Sequence, residues 1–392
     1  MSATINKRVA WLVPTMGYGT QLLYWEPILT GYVRQVPDCK IFVTKDKATN
    51  GLPLPFEPVL RRYLLILRKG RNSRYNKAIT LAHPSVLYHL YRYHPKVLVI
   101  SEFGLLSIYG VLISLLQPGC RVLLLVESDP RSVTGSHLDV RYWFRRLICR
   151  VAHIILTNNR AGKQYLEKRL GVPQKKIIQA PYLVSKPAVA ENDAPAFENE
   201  QNVNFPDLKG RLVFLYVGQV NERKGIDYLI QAAARLDRLH RDSCMFWILG
   251  DGALRGALES MVVELGLQDS FHFFGSRRYS ELPYFYRSAD VFVFPTLNDY
   301  RALVGFEAAS YGLPLLLSQW DGAAEEIVRP GENGYIFNPL DIDQFAKYLV
   351  WFIDNKDRLS HLRQLSKSLS ERFTVEHAVQ NLVDATARCL EK

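Results

Sequence analysis

Two acidic residues separated by seven others, Asp299 and Glu307, mark the part of the chain whose side chains are best suited to bind a polar ligand. Asp299 follows a predicted strand that ends at Phe294, and Glu307 falls within the first two turns of a helix predicted to begin near Ala302 and to close with Gly312. Carboxylates accept hydrogen bonds from hydroxyls, and the unpaired amides of a helix's first turn donate to anions. The segment therefore predicts a pocket for a ligand that carries both sugar hydroxyls and phosphate.

A basic loop, residues 218–225, directly follows the predicted strand Leu212–Val217 and leads into another predicted helix. Such a loop is where backbone amides and the helix dipole bind anions, and Arg223 and Lys224 add side-chain charge. Phosphate is the ligand expected there; the alternative is a polar loop with two solvated cations. A shorter loop, Gly250-Asp251-Gly252, has glycines that allow close backbone approach, but it is too short for a dinucleotide fingerprint.

Alternating strands and helices must position these motifs. With 392 residues, 48% of them hydrophobic and 22% charged, the chain is long enough for two ordinary globular domains. The pattern predicts an α/β fold of two Rossmann-like, doubly wound domains with a cleft between them. The predicted boundaries are an N-terminal domain (1–185), a Pro- and Asn-rich linker (186–210), a C-terminal domain (211–372) and a last helix (373–392) that could cross back to the first domain.

In the first half, carboxylates come directly after predicted strands. Glu127 and Asp129 follow the strand ending at Val126, where either could orient an acceptor hydroxyl or act as its base. An ion pair with Arg131 is the alternative for this segment. Glu102 follows an earlier strand and is a further candidate for acceptor binding, together with Asp129 and Arg131.

Charge is distributed unevenly along the chain. Residues 1–190 hold 28 Lys and Arg against 9 Asp and Glu, whereas the remainder holds 21 against 29. The first half therefore faces an anionic partner. The basic, apolar segments Arg61–Lys77 and Arg141–Arg150 favour the surface of an anionic membrane; the alternative is that they are solvated faces of core helices.

Other features narrow the class of protein. Nucleic acid would explain the basic half but not the Asp299–Glu307 pair, so no nucleic-acid partner is expected. We identify no export signal and no apolar run long enough to cross a bilayer, and the five separated cysteines indicate no disulfide framework. The expected location is the cytoplasm, with peripheral contact at the inner face of the membrane. Asp341-Ile342-Asp343 opens a predicted helix and is interpreted as a cap, not a metal site.

These motifs resemble those of a GT-B glycosyltransferase of the family 4 (glycosyl transferases group 1) type. Asp299-x7-Glu307 with the following small-residue helix and Gly312-Leu313-Pro314, the 218–225 loop and the Gly250 loop occur in the order that the family has. The resemblance covers residues 212–340 well and the first half only in architecture. It implies a retaining enzyme that moves a sugar from a nucleoside-diphosphate sugar to a hydroxyl of a lipid-linked or polysaccharide acceptor, with no metal and no other cofactor.

The resemblance also implies roles for individual residues. Its catalytic candidates are Asp299, which would hold sugar hydroxyls, and Lys224, which would bind the diphosphate. The family's usual His on the acceptor side is missing from the expected place, and Glu127, a candidate from its position after a strand, is the third catalytic candidate. The implied donor-binding set is Gly17, Gly19, Gly218, Arg223, Lys224, Gly250, Asp251, the amides of Arg301, Ala302 and Leu303, and Glu307, which would accept from the ribose hydroxyls.

Departures from the family pattern leave a second class open. The family usually has Glu where Asp299 stands, and Gln219 replaces a frequent phosphate-binding arginine, so Arg223 or Arg301 would have to compensate. The alternative function is a non-catalytic nucleotide-sugar binder or a subunit of a synthase complex.

Overall fold

The computed structural model describes residues 5–13, 20–45, 59–68, 78–82, 84–127, 140–184, 208 and 210–391. The chain divides into two compact units. The first runs to Val184 and takes in the chain again from Phe373, and the second ends at Arg372.

The described strands are β1 Val9–Val13, β2 Cys39–Lys45, β3 Val59–Arg68, β4 Ala78–Ala82, β5 Val97–Ser101, β6 Arg121–Val126, β7 Ile154–Thr157, β8 Ile177–Gln179, β9 Leu212–Val217, β10 Cys244–Leu249, β11 Phe271–Gly275, β12 Val291–Phe294, β13 Leu315–Ser318 and β14 Gly334–Phe337. The described α-helices are α1 Thr20–Gln35, α2 Ser85–Tyr93, α3 Leu105–Leu116, α4 Val140–Val151, α5 Arg160–Gln164, α6 Ile226–Ala234, α7 Arg238–Asp242, α8 Arg255–Glu264, α9 Leu282–Ser288, α10 Leu303–Ser310, α11 Ala324–Ile327, α12 Ile342–Asp354, α13 Leu359–Ser370 and α14 Val375–Glu391.

The strands of the first unit form one sheet in the order β4-β3-β2-β1-β5-β6-β7-β8, parallel except for the β3–β4 pair. Strands such as β1, β5 and β7 are continuous runs of apolar residues, as expected when helices cover both faces of a parallel sheet. Helices α1 and α14 pack together on one face. There Val379 and Leu382 of α14 join Trp11 and Tyr32 in one core, and the Tyr32 hydroxyl lies 2.7 Å from Thr386 Oγ1.

The second unit has a sheet of six described strands, all parallel, in the order β11-β10-β9-β12-β13-β14. β9, the first strand of this unit, lies at the centre of the sheet. The chain continues outward through β10 and β11 and then returns to the other side of β9 with β12. The β9–β12 pair is therefore the place where the winding direction reverses, and in open parallel sheets ligands bind beyond the carboxyl ends of such a strand pair.

The predicted strand Leu212–Val217 is confirmed as β9, and β6 and β12 end at Val126 and Phe294 as predicted. Helix α10 begins within one residue of the predicted start near Ala302. Asp341 caps α12 as predicted, its side chain accepting from the Gln344 amide at 3.0 Å. The alternative of helical faces is wrong for Arg61–Arg68, because these residues form most of strand β3. Pairing with β2 and β4 holds this segment in an extended conformation. Residues 69–77 of that basic segment lie outside the described residues, whereas residues 141–150 form most of helix α4.

No helix among the described residues is both long enough and apolar enough to span a bilayer.

Candidate functional site

The loops that follow β9 and β12 lie next to each other at the point where the second sheet reverses. The β9 loop contains a short 3₁₀ turn, Glu222–Lys224, and then Gly225, which has a φ of 65°. The Leu297 amide of the β12 loop donates to the Arg223 carbonyl at 2.8 Å. A β-carbon on Gly225 would overlap the Pro295 carbonyl oxygen, so close packing of the two loops requires glycine here.

The predicted phosphate-binding cations converge on Asp299. Arg223 Nη1 and Lys224 Nζ donate to the same carboxylate oxygen, Asp299 Oδ2, at 2.8 and 2.6 Å. Arg223 Nη1 also donates to the Asn298 carbonyl at 2.8 Å, and Lys224 Nζ lies 4.5 Å from the centre of the Phe294 ring. Among the described residues, no hydrogen bond reaches Asp299 Oδ1, which leaves this oxygen as an acceptor.

Burial and charge set the protonation of this cluster. Burial lowers the pKa of Lys224, and Arg223 lowers it further, while Asp299 opposes both. Burial works to raise the pKa of Asp299, but Lys224 and Arg223 outweigh it and hold that pKa below its ordinary value. The cluster thus contains two cations and one firmly ionised carboxylate, which is an arrangement that attracts an anion.

Glycines at the ends of β9 and β10 allow the loops that follow these two strands to pack closely. Gly250 has a φ of 136°, and a β-carbon there would overlap the carbonyl oxygen of Gly218. Asp251 accepts from the Gly252 amide at 2.7 Å and lies 3.5 Å from Arg255 at the surface. Gly250 therefore shapes the β9 loop, and the Asp251 carboxylate caps its own turn.

The residues before α10 are bound within the protein. Arg301 forms a bidentate ion pair with Glu326, at 2.9 and 3.0 Å, and its guanidinium lies 4.0 Å from the Phe306 ring centre. The Ala302 amide donates to Asp321 Oδ1 at 3.0 Å, and Leu303 begins the helix. The Arg301 side chain is therefore committed to Glu326, whereas Arg223, the other residue expected to compensate for Gln219, contacts Asp299.

Glu307 is buried, and both of its carboxylate oxygens have partners. Tyr279 donates to Oε1 at 3.2 Å, and Tyr286 of α9 donates to Oε2 at 2.9 Å. Burial, and then the charge of Glu307 and the hydrogen bond to it, raise the pKa of Tyr279. A ribose hydroxyl at Glu307 would compete with these two donors for the same carboxylate.

In the first unit, Glu102 and Glu127 meet at the carboxyl ends of β5 and β6. The Glu127 amide donates to Glu102 Oε1 at 2.6 Å, and Asn158, after β7, donates to Glu127 Oε1 at 3.2 Å. Burial, followed by the charge of Glu127, raises the pKa of Glu102 to about 8, against the opposing effect of Arg145. The structure therefore brings two of the predicted acceptor-side carboxyl groups together, and Glu102 holds a proton at neutral pH.

The remaining predicted residues lie outside the described ones. These are Gly17, Gly19, Asp129 and Arg131. Among the described residues there is no group of three or more His, Cys, Asp or Glu side chains that could hold a metal ion. The expectation that no metal takes part stays a prediction.

Sequence reasoning missed Asp321, Tyr279 and Glu326. Asp321 follows β13 by three residues and Tyr279 follows β11 by four, so both stand beyond strand ends of the same sheet. A carboxylate or hydroxyl placed soon after every strand of a parallel sheet is the signal that would have identified them.

Comparison with known proteins finds a similar family and similar structures. Residues 198–369 match the model of the Glycosyl transferases group 1 family. Alpha-D-kanosaminyltransferase of Streptomyces kanamyceticus is 26% identical over 216 residues, 55% of each chain. An uncharacterized glycosyltransferase of Methanocaldococcus jannaschii is 24% identical over 330 residues, 83% of this chain and 74% of the relative. Three curated relatives are matched over 55%, 39% and 46% of their own length, so the chain spans about half the length of such relatives.

Solved structures extend the likeness to both units. Anabaena HepE in complex with UDP has a TM-score of 0.71 at 14% identity, over 97% of this chain and 99% of that chain. The lipopolysaccharide outer core galactosyltransferase WaaB has a TM-score of 0.72 at 17% identity, over 97% and 99%. Residues 198–369 are therefore similar to the glycosyl transferases group 1 family, and the chain has the GT-B fold of two Rossmann-like units in series.

Proposed function

We propose that this protein is a glycosyltransferase that moves a sugar from a nucleoside-diphosphate sugar to an acceptor hydroxyl. The observation that carries the proposal is the convergence of Arg223 and Lys224 on Asp299 beside the strand pair where the second sheet reverses. A buried pair of cations at that position suits a diphosphate, and a carboxylate with one unoccupied oxygen suits a sugar hydroxyl.

Each residue then has a distinct task. Lys224 and Arg223 turn from Asp299 to the diphosphate and stabilise the charge that develops on it as the glycosidic bond breaks. Asp299 Oδ1 accepts from a hydroxyl of the sugar. Glu307 exchanges the hydroxyl of Tyr279, the longer of its two hydrogen bonds, for a ribose hydroxyl.

We also propose that the transfer retains the anomeric configuration and needs no metal. Two cations already lie where the leaving diphosphate would bind, so the charge that a metal would neutralise has protein partners. Glu127, held by Asn158 and by the Glu102 pair, is the proposed acid-base group on the acceptor side. HepE was solved with UDP and with UDP-glucose, which makes uridine nucleotides the first donors to test.

The test is thermal stabilisation of the whole protein by UDP, GDP, ADP, TDP and CMP sugars, with and without a chelator. We expect one nucleotide to raise the melting temperature, with the shift surviving the chelator. Lys224→Ala should abolish the shift, while Lys347→Ala, an exposed lysine of α12, should leave it unchanged. No shift with any nucleotide would contradict the proposal.

Turnover separates the enzyme from a non-catalytic binder. The nucleotide that stabilises the protein is supplied as its sugar conjugate with lipid-linked and saccharide acceptors, and the anomeric configuration of the product is read by NMR. Binding without transfer to any acceptor would favour the binder or the synthase-complex subunit.

One exposed helix face supports a membrane-associated acceptor. One face of α4 carries four residues at helical spacing: Trp143, Arg146, Leu147 and Arg150. The side chains of Trp143 and Leu147 on this face are 60% and 56% exposed. The neighbouring helix α3 exposes leucines at similar spacing: Leu112, Leu115 and Leu116. Apolar side chains alternating with arginine suit the headgroup region of an anionic bilayer, so we propose a lipid-linked acceptor at such a surface.

Vesicle sedimentation tests this surface. The paired change Trp143→Ser and Leu147→Ser should reduce binding to vesicles that contain phosphatidylglycerol, with little effect on nucleotide binding. Leu239→Ser, which removes an equally exposed leucine from the second unit, is the matched control. Equal sedimentation of both variants at low salt would remove the membrane assignment.

A further inference from the structure

Asp321, in the loop between β13 and α11, is a buried carboxyl group with only one of its oxygens paired. Oδ1 accepts from the amides of Ala302 and Ala323, each at 3.0 Å. The residue is 2% exposed, and Oδ2 is buried without a hydrogen-bond partner among the described residues. An unpaired carboxylate oxygen in the interior is costly, and a proton on that oxygen removes the charge.

The backbone places this carboxyl group beside the cluster formed by Arg223, Lys224 and Asp299. Asp299 and Asp321 pair as an isolated β-bridge, in which the Gly322 amide donates to the Asp299 carbonyl at 3.1 Å. The Asp299 amide in turn donates to the carbonyl of Trp320 at 3.0 Å. The two acidic residues therefore stand side by side on adjacent stretches of extended chain.

The charges around Asp321 do not neutralise it. Arg223 and Lys224 both contact Asp299, and Arg301 is committed to Glu326 on the next helix. Burial, and then the charge of Asp299, raises the pKa of Asp321 to about 7, while the two amides and Lys224 oppose the rise. Near neutral pH, Asp321 is therefore the carboxyl group of this cluster that can change its charge.

We propose that Asp321 takes up one proton when a nucleoside diphosphate binds beside Arg223 and Lys224, and so acts as a positioning residue that sets the charge of the phosphate site. This inference rests on the proposed function of that site. With Asp321 ionised, two cations face two carboxylates and the cluster is neutral; with Asp321 protonated, the cluster keeps one positive charge for the incoming anion. The proton comes from solvent and stays on Oδ2.

The pH dependence follows from that balance. At pH values below the pKa of Asp321 the proton is present before binding, so the affinity for the nucleotide does not change with pH. Above it, each binding event must bring a proton, and affinity falls by up to about tenfold per pH unit until the proton is no longer taken up.

Isothermal titration calorimetry with UDP-glucose as the probe tests the proposal. A sugar nucleotide is used because its phosphates do not titrate near neutrality. Proton uptake is obtained by measuring the binding heat in Hepes and in Tris, whose heats of ionisation differ. For the unmodified protein we expect uptake near zero at pH 6 and approaching one proton at pH 8.

Asp321→Asn keeps an oxygen for the Ala302 and Ala323 amides but carries no charge. We expect this variant to show no proton uptake and the same affinity at pH 6 and pH 8, so that at pH 8 it binds up to about tenfold more tightly than the unmodified protein. Glu325→Gln, which removes an exposed carboxylate from the following helix α11, should keep the uptake of the unmodified protein. If the Asp321→Asn variant fails to fold, infrared difference spectra of the unmodified protein, labelled with ¹³C at aspartate carboxyls, should show a new protonated carboxyl on adding UDP-glucose at pH 8.

The outcomes are distinct. Proton uptake that persists in Asp321→Asn, or is absent from the unmodified protein at pH 8, overturns the role of Asp321 while the nucleotide site stands. An unmodified protein that binds neither UDP-glucose nor any other nucleotide sugar overturns the proposed function, and this inference with it.

Discussion

Glu307 shows how a binding group can be occupied by the protein itself. Tyr279 and Tyr286 donate to its two oxygens, and under the proposed function a ribose hydroxyl competes with them for the same carboxylate. Tyr279→Phe removes a competing donor, so we expect nucleotide affinity to rise several-fold, since a hydrogen bond to a charged group contributes about 1.5–3 kcal/mol and only part of that is recovered.

Glu307→Gln should have the opposite effect, because the amide no longer accepts as a carboxylate does. We expect affinity to fall at least tenfold by calorimetry, while the melting temperature of the free protein changes little. An unchanged affinity in Glu307→Gln would remove the ribose assignment, and a weaker affinity in Tyr279→Phe would show that Tyr279 assists binding.

Glu102 gives the first unit a pH-dependent stability. Its pKa is raised to about 8 in the folded protein, against an ordinary value of 4.5, so the folded state holds a proton that the unfolded state has lost. The stabilisation is complete below the ordinary pKa and is lost as pH rises through 8, with a slope on the order of 1.4 kcal/mol per pH unit between the two values.

Glu102→Gln should remove that slope, because glutamine is neutral throughout and still accepts from the Glu127 amide. Urea-unfolding midpoints from pH 5 to pH 9 measure the effect, with Glu167→Gln, a surface carboxylate paired to Lys163, as the control. Parallel pH profiles for Glu102→Gln and the unmodified protein would contradict the assignment.

The site was predictable to the extent that its residues follow strands. Arg223, Lys224, Asp299 and Glu307 stand in a spaced motif, and their types indicate phosphate and hydroxyl binding directly. Tyr279, Asp321 and Glu326 could not be ranked, because their importance depends on which oxygen each one reaches after the chain folds. The same holds for Arg301, whose charge was visible in the sequence but whose partner was not.

At the scale of elements, the β9 loop depends on a backbone conformation that only glycine adopts readily. Gly225→Ala would place a methyl group against the Pro295 carbonyl oxygen at a φ of 65°, so we expect a loss of about 1–3 kcal/mol in stability together with weaker nucleotide binding. Gly256→Ala is the matched control, because its β-carbon would meet nothing within 4 Å inside α8. There the change should stabilise by about 0.5–1 kcal/mol. Thermal unfolding with and without nucleotide measures the stability and the nucleotide binding of each variant. Equal effects of Gly225→Ala and Gly256→Ala would contradict the prediction.

The elements themselves were mostly predictable, because a buried parallel strand is a short apolar run and its crossover helix is amphipathic. Strand β3 was not predictable, because its arginines and leucines have the composition of an amphipathic helix. Its extended conformation depends on pairing with β2 and β4.

At the scale of the whole molecule, α14 belongs to the first unit although it follows the second in the chain. Deleting residues 373–392 removes Val379 and Leu382 from the core of the first unit and should expose the apolar residues that they cover. The deletion also leaves the Tyr32 hydroxyl without Thr386. We expect faster amide hydrogen exchange throughout β1, β5 and α1, with β9 and β12 protected as before. Loss of protection confined to the second unit would contradict this division of the chain.

That division has a consequence for synthesis on the ribosome. Domains usually fold in the order in which they are made, at about 5–20 residues per second. Here the second unit, continuous from 185 to 372, can close its core before α14 has been translated, whereas the first unit waits with an open apolar face against α1. The first half made is therefore the last to be finished, and a nascent chain stalled within the second unit would be a substrate for chaperones.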